Sequence, residues 1–138
     1  MTELDSKPAR KQYHSRQVGS DRYIWDVHKL MRASRDFEVE MIPVEDIAEA
    51  DEDWWYCEDD VVPTPRSIAA HIALINEVDP RHPIILCAQG RLMDGMHRVV
   101  KAMAEGRTQI RSVRFDMTPA PDFVNISLND LPYPDEVV

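Results

Sequence analysis

PIILCAQGRLMDGMHRVVKAMAEGRTQIRSVRF, residues 83–115, is the stretch whose reading decides the fold. Residues 83–88 form a nearly continuous apolar run, consistent with a buried strand. Gln89-Gly90 is a tight-turn dipeptide, and 91–95 return as a second strand, so the pair reads as a β-hairpin. From Met96 the period becomes helical. Met96, Val99, Val100 and Met103 share one face, and Gly106 is a natural stop after the last turn. Residues 108–115 alternate again, with Ile110, Val113 and Phe115 as the inward positions of a further strand.

Working upstream, residues 63–78 (PTPRSIAAHIALINEV) read as an amphipathic helix with Thr64 as cap and Pro65 in the first turn. Ile68, Ile72 and Ile75 are its expected buried stripe. FEVEMIPV (37–44) suits a half-buried strand ending at Pro43, and residues 45–50 allow a turn or two of helix. Residues 1–19 show no apolar period and read as a polar arm. Ser20 is the expected cap of a helix running from Asp21 to about Ser34, with Ile24, Val27, Leu30 and Met31 at helical spacing. The segment after 118 holds Pro119, Pro121, Pro132 and Pro134 and reads as an extended tail, with a short strand around Phe123, Val124, Ile126 and Leu128. The expected organisation is an arm and helix (1–36), a core (37–118) and a tail (119–138) packed on the same domain. The fold class is α/β (α+β), a small mixed sheet with packed helices.

Composition narrows the function. The chain has 138 residues, 16 Lys and Arg, 25 Asp and Glu, and a formal charge of −9. Eleven of the acids lie in residues 37–62, which contain no Lys or Arg. Bulk electrostatic binding of nucleic acid is therefore disfavoured, whereas a local anion site beyond residue 62 is not. Cys57 and Cys87 make neither a disulfide framework nor a zinc spacing, and Cys87 reads as a buried thiol. No apolar run reaches membrane-span length and the first residues lack the apolar core of a signal peptide, so a cytoplasmic protein is expected. The five histidines show no metal-ligand spacing; neither zinc nor haem is expected.

Chemistry concentrates at Met93-Asp94-Gly95-Met96-His97-Arg98. A strand ends, Gly95 permits a sharp turn, and a helix begins, leaving backbone N–H groups pointing outward with the positive end of the helix dipole. Such a junction accepts anions, and His97 and Arg98 add donors. The alternative is structural: Asp94 caps the helix, His97 covers a strand end and Arg98 pairs with a carboxylate. The aromatic run Trp54-Trp55-Tyr56, set in the acidic stretch 51–60, has two readings as well. It folds over the core, or it forms a wall for a ring-shaped ligand or a partner surface.

The segment 83–115 resembles the core of the ParB/sulfiredoxin superfamily. EMIPVEDI is similar to that core's first strand and turn, and PTPRSIAAHIAL to the helix before the hairpin. The resemblance spans about residues 38–116. The combination of WW, PTPRSIAAHI, PIIL and MDGMHRVVKA resembles a small group of stand-alone bacterial ParB-like proteins of unassigned activity. It implies a nucleotide site, since sulfiredoxins use ATP, ParB proteins bind CTP and one branch phosphorylates free serine. Carried over, phosphates would meet Gly95, Met96, His97 and Arg98. The preceding helix would add Thr64, Ser67 and His71, with Arg66 nearby.

Met96 stands where sulfiredoxin has its catalytic cysteine, so sulfiredoxin activity is not expected. ParB-type DNA clamping is not expected either, with little sequence after 116 for a helix-turn-helix domain and a net charge that opposes it. What remains is binding of a nucleotide or small phosphorylated ligand, or phosphoryl transfer from ATP carried with Mg²⁺. In the transfer version Asp94 and Glu45 are the candidate catalytic acids. The acidic stretch 51–60 offers metal ligands or simply a solvated surface. The alternative from another class is a non-catalytic interaction or regulatory module that uses the Trp54-Trp55-Tyr56 surface.

Overall fold

The computed structural model describes residues 12–56, 62–127 and 130–132, and shows a mixed α+β protein of two compact units. The described residues between 34 and 118 form the larger unit; those of 12–33 and from 119 to 132 form the smaller.

In the larger unit, β3 (Glu40–Pro43), β4 (Ile84–Leu86), β5 (Leu92–Asp94) and β6 (Gln109–Arg114) make one sheet in the order β3-β6-β4-β5. β6 pairs antiparallel with β3 and parallel with β4, so the sheet is mixed. β4 and β5 form the expected hairpin, closed by Gly90 at φ 83°, where its N–H reaches the Cys87 carbonyl at 2.8 Å. Helices α2 (Pro65–Glu77) and α3 (Met96–Ala104) complete the unit, with two short 3₁₀ turns at Val44–Asp46 and Ala48–Asp51.

One sheet face presents Ile84, Leu86, Leu92 and Ile110 to Met96, Val99 and Ala102 of α3. Val44 and Ile47 from the 3₁₀ turns close this core, and Trp54 and Trp55 pack against it. The opposite face carries Ile85, Met93, Val113 and Phe115, all buried, with Phe37 edge-on to Phe115 at 5.2 Å. This explains why β6, a central strand, is buried on both faces rather than alternating cleanly. The buried Ser112 hydroxyl donates to the Glu40 carbonyl at 3.0 Å. Edge strand β5 is protected by Glu49, whose buried carboxylate accepts the Leu92 N–H and pairs with Arg91, each at 3.3 Å.

Both helices stop and start as their residues dictate. Thr64 caps α2, its hydroxyl accepting the Ser67 N–H at 3.1 Å. Gly106, at φ 75°, ends α3: its N–H reaches the Met103 carbonyl and the next N–H, of Arg107, reaches Ala102. Lys101 reaches across to donate to the Asn76 and Val78 carbonyls at the C-terminus of α2, where the helix dipole favours a cation.

Two expected faces are corrected. Ile68 and Ile72 do not line a buried stripe; they are 43% and 51% exposed, and Ser67, His71 and Ile75 are the half-buried positions of α2. Polar contacts, described below, set the roll of this helix. Met103, in the last turn of α3, is likewise exposed, and Ala102 takes the inward place.

The smaller unit departs further from the sequence reading. Residues 12–34 are not an arm followed by one long helix. β1 (Tyr13–Val18) and β2 (Asp21–Asp26) form an antiparallel hairpin around Gly19-Ser20, followed by a shorter helix α1 (Val27–Ala33). Gly19 adopts φ 62° in a two-residue loop, a conformation such hairpins need and glycine supplies. Ser20 therefore caps nothing. Asp26 caps α1 instead, accepting the His28 N–H at 2.9 Å. The tail contributes β7 (Phe123–Val124), which pairs with β2 as expected for a short strand there. Ile126 lies beyond it and is exposed, and Leu128 falls outside the described residues. Trp25 is the hub: His14 stacks on it, Arg16 lies over its ring at 5.3 Å, and its indole N–H donates to the Pro119 carbonyl. Among the described residues no helix is long and apolar enough to cross a membrane.

The turn between β5 and α3 makes a sharp stability prediction. At Gly95 φ is 115°, and an added Cβ would lie 2.6 Å from Ile84 Cγ2. Gly106 also has positive φ but nothing within 4 Å. Gly95→Ala should lower unfolding free energy by about 3 kcal/mol or more, combining backbone strain with overpacking. Gly106→Ala should cost about 1–2 kcal/mol, from backbone strain alone. Urea denaturation of the two variants side by side checks the difference.

Candidate functional site

Gly95 connects β5 to α3 in a single residue, so Asp94, the last residue of the strand, and Arg98, in the first turn of the helix, face each other. Arg98 donates to Asp94 Oδ2 at 3.1 Å and to the Pro83 carbonyl at 3.2 Å. Both side chains are more than four-fifths buried, an environment in which a lost partner is costly. Arg98 Nε is buried and has no acceptor among the described residues. Met96 points into the core, which leaves only its backbone at the surface of the turn. The Gly95 carbonyl accepts the Arg98 and Val99 N–H groups, so the amides at the very start of α3 are those without an intrahelical acceptor.

His97 points the other way, toward α2. Its Nε2 lies 2.9 Å from His71 Nδ1, a hydrogen bond between two imidazoles. The two rings are nearly coplanar, 25° apart, and Trp55 lies flat over both, with centroids 4.0 Å from His71 and 4.7 Å from His97. Tyr56 meets His71 edge-on and shares a 2.8 Å hydrogen bond between its hydroxyl and that of Ser67. A stacked indole and two imidazoles, with a phenol edge-on, thus form one cluster joining the start of α3, the middle of α2 and the aromatic run.

Protonation follows from burial. The His97 pKa is pushed down to about 4, mainly by burial and then by the nearby His71 and Arg98. Burial lowers His71 as well. Near pH 7 both rings are neutral, a state that suits the hydrogen bond: one nitrogen donates its proton and the other, unprotonated, accepts it.

The structure brings together most of the residues singled out in the sequence, but not all. Gly95, Met96, His97 and Arg98 form the turn, His71 reaches His97 from α2, and the Ser67 hydroxyl is bonded to Tyr56. Thr64 spends its hydroxyl on capping. Asp94 is engaged by Arg98 rather than standing free as a base. Glu45 is exposed in the first 3₁₀ turn, with no bond to Asp94 or His97. Of the two readings of the aromatic run, covering the core holds for both tryptophans, and Trp55 also walls the histidine pair. The role of Tyr56 as a partner for Ser67 could not be read from spacing, because a loop residue's reach depends on how the loop folds. Among the described residues no three His, Cys, Asp or Glu side chains cluster as a metal site.

No family model, curated protein or solved structure matches this chain.

The depressed histidines give stability a pH dependence with a definite sign. Unfolded histidine takes up its proton near 6.5, whereas folded His97 does so only near 4. Stability is therefore complete above about pH 6.5 and falls as pH drops from 6.5 toward 4. Asp79, half-buried and held low by Arg81, loses its contribution only below its ordinary 3.8, outside this window. Denaturant midpoints measured between pH 7.5 and 4.5 should decline in the native protein and decline less in His97→Gln.

Proposed function

We propose that the protein binds a small phosphate-bearing ligand, with nucleotides complexed to Mg²⁺ as the first choice, where the first turn of α3 meets α2. The observation that carries this reading is the 2.9 Å contact between His71 and His97. It gathers polar groups from two separate elements at one helix N-terminus. The free amides at the start of α3, the Ser67 hydroxyl and the His97 ring are the donors such a ligand would use. Trp55 supplies a ring for a base to stack on, or one that yields its place to it. The resemblance of residues 38–116 to a nucleotide-binding superfamily supports the same choice, and a cytoplasmic location belongs to the proposal.

Binding is favoured over phosphoryl transfer. A transfer reaction needs a free carboxylate beside the substrate hydroxyl. Asp94 is paired with Arg98, and Glu45 makes no hydrogen bond to the turn. Magnesium in this reading travels on the ligand's phosphates rather than on a protein ligand set. An interaction module built on Trp54, Trp55 and Tyr56 would have to present these rings, and all three are half-buried.

Calorimetric titration with ATP, ADP and CTP, each with Mg²⁺, should show binding at millimolar concentration or tighter, with a change in tryptophan fluorescence. His97→Ala should weaken it about tenfold or more, equivalent to about 1.4 kcal/mol. Absence of binding at several millimolar, or equal binding by His97→Ala, overturns the assignment. The pH dependence has a sign too. A bound anion raises the pKa of a neighbouring imidazole, so binding takes up a proton and strengthens as pH falls from 7 to 5. Sulfate, which does not titrate in that range, isolates this effect.

A further inference from the structure

The far side of α2 is unusual for a thirteen-residue helix: no residue of α2 is buried. Ser67, His71 and Ile75 are its half-buried positions, His71 reaching α3 at His97, and its opposite face is exposed. Along that face Ala69 and Ala73 stand one turn apart at the centre, with Ile72, 51% exposed, on one flank. On the other flank lie Arg66 at the N-terminal end and Glu77 at the C-terminal end. They stand eleven positions apart, close to three full turns, so they point nearly the same way. Both are exposed, and neither has an ion-pair partner among the described residues.

We propose that this face pairs with the same face of a second copy of the chain, the two α2 helices running antiparallel about a two-fold axis. Charge complementarity selects the occupant. A two-fold interface must be self-complementary. An antiparallel copy sets Arg66 against the partner's Glu77 and Glu77 against the partner's Arg66. The register that forms both pairs is centred between residues 71 and 72. It brings Ile72 beside the partner's Ile72 on the opposite flank and the small Ala69 and Ala73 to the middle, where they allow close approach. One register satisfies charge, apolar contact and volume together. A parallel copy would instead leave the two charged flanks on opposite sides of the contact, where neither pair forms. A single helix face covers less than the roughly 800 Å² per partner of a standard interface, so the association is concentration-dependent. It uses the side of α2 away from His71 and stands apart from the phosphate reading.

Sedimentation equilibrium of the full chain between about 5 and 500 μM tests the proposal. The expected result is a reversible monomer–dimer equilibrium, shifted to monomer by Ile72→Lys. Arg66→Glu and Glu77→Arg should each weaken dimerisation by about fivefold or more, since each replaces two attractions with two repulsions. The double variant R66E/E77R restores the pairs with signs exchanged and should recover the native equilibrium. These residues are exposed, so circular dichroism should show each variant folded. A strict monomer at about 500 μM, or self-association indifferent to Ile72→Lys, overturns the proposal. So does a double variant no better than the singles.

Discussion

The larger unit depends on a turn that only glycine can make. β5 must end and α3 begin within one residue, with the chain close enough to β4 that the place of a side chain is already taken by Ile84. Positive φ at Gly95 satisfies the backbone, and its lack of Cβ satisfies the packing. Once that turn is made, the rest of the neighbourhood has little freedom. Met96, Val99 and Ala102 are aimed at the sheet, Arg98 is brought over Asp94, and His97 is directed at α2.

The histidine pair then does for α2 what apolar burial usually does for a helix. An amphipathic helix normally turns its aliphatic stripe to the core. Here the hydrogen bonds of His71 and Ser67, and the stacking of Trp55 over both imidazoles, roll the helix so that Ile68 and Ile72 face outward. Desolvation makes the contact possible, because burial keeps both rings neutral and spares the interface a pair of like charges. The same roll sets the polar contacts of Ser67 and His71 on one side of α2 and an alanine and isoleucine face on the other.

Legibility in the sequence tracked how local each feature is. The β4–β5 hairpin, the Thr64 cap and the Gly106 stop rest on a few neighbouring residues, and all three stand as their patterns indicate. The N-terminal hairpin was hidden because Ile24, Val27 and Leu30 recur every three residues across a strand–helix boundary and imitate one helix. β1, with the composition YHSRQV, has no apolar period at all. It is held by β2 and by stacking and cation contacts with Trp25, neither of which leaves a periodic trace. At the site, the Asp94–Arg98 segment could be singled out from the strand–glycine–helix pattern, but the engagement of Asp94 by Arg98 could not. Whether a carboxylate stands free depends on which cation the fold brings within reach.

The sequence by itself determined the α+β class, the elements of residues 63–115 and the turn where polar chemistry collects, because turn residues and periodicity act over a few positions along the chain. Only the tertiary structure decided that His71 meets His97, that Trp55 covers them and that the isoleucines of α2 look outward. Those outcomes are set by the balance of hydrogen bonding, ring stacking and burial between segments 16 to 42 residues apart, and no spacing within any one segment encodes that balance.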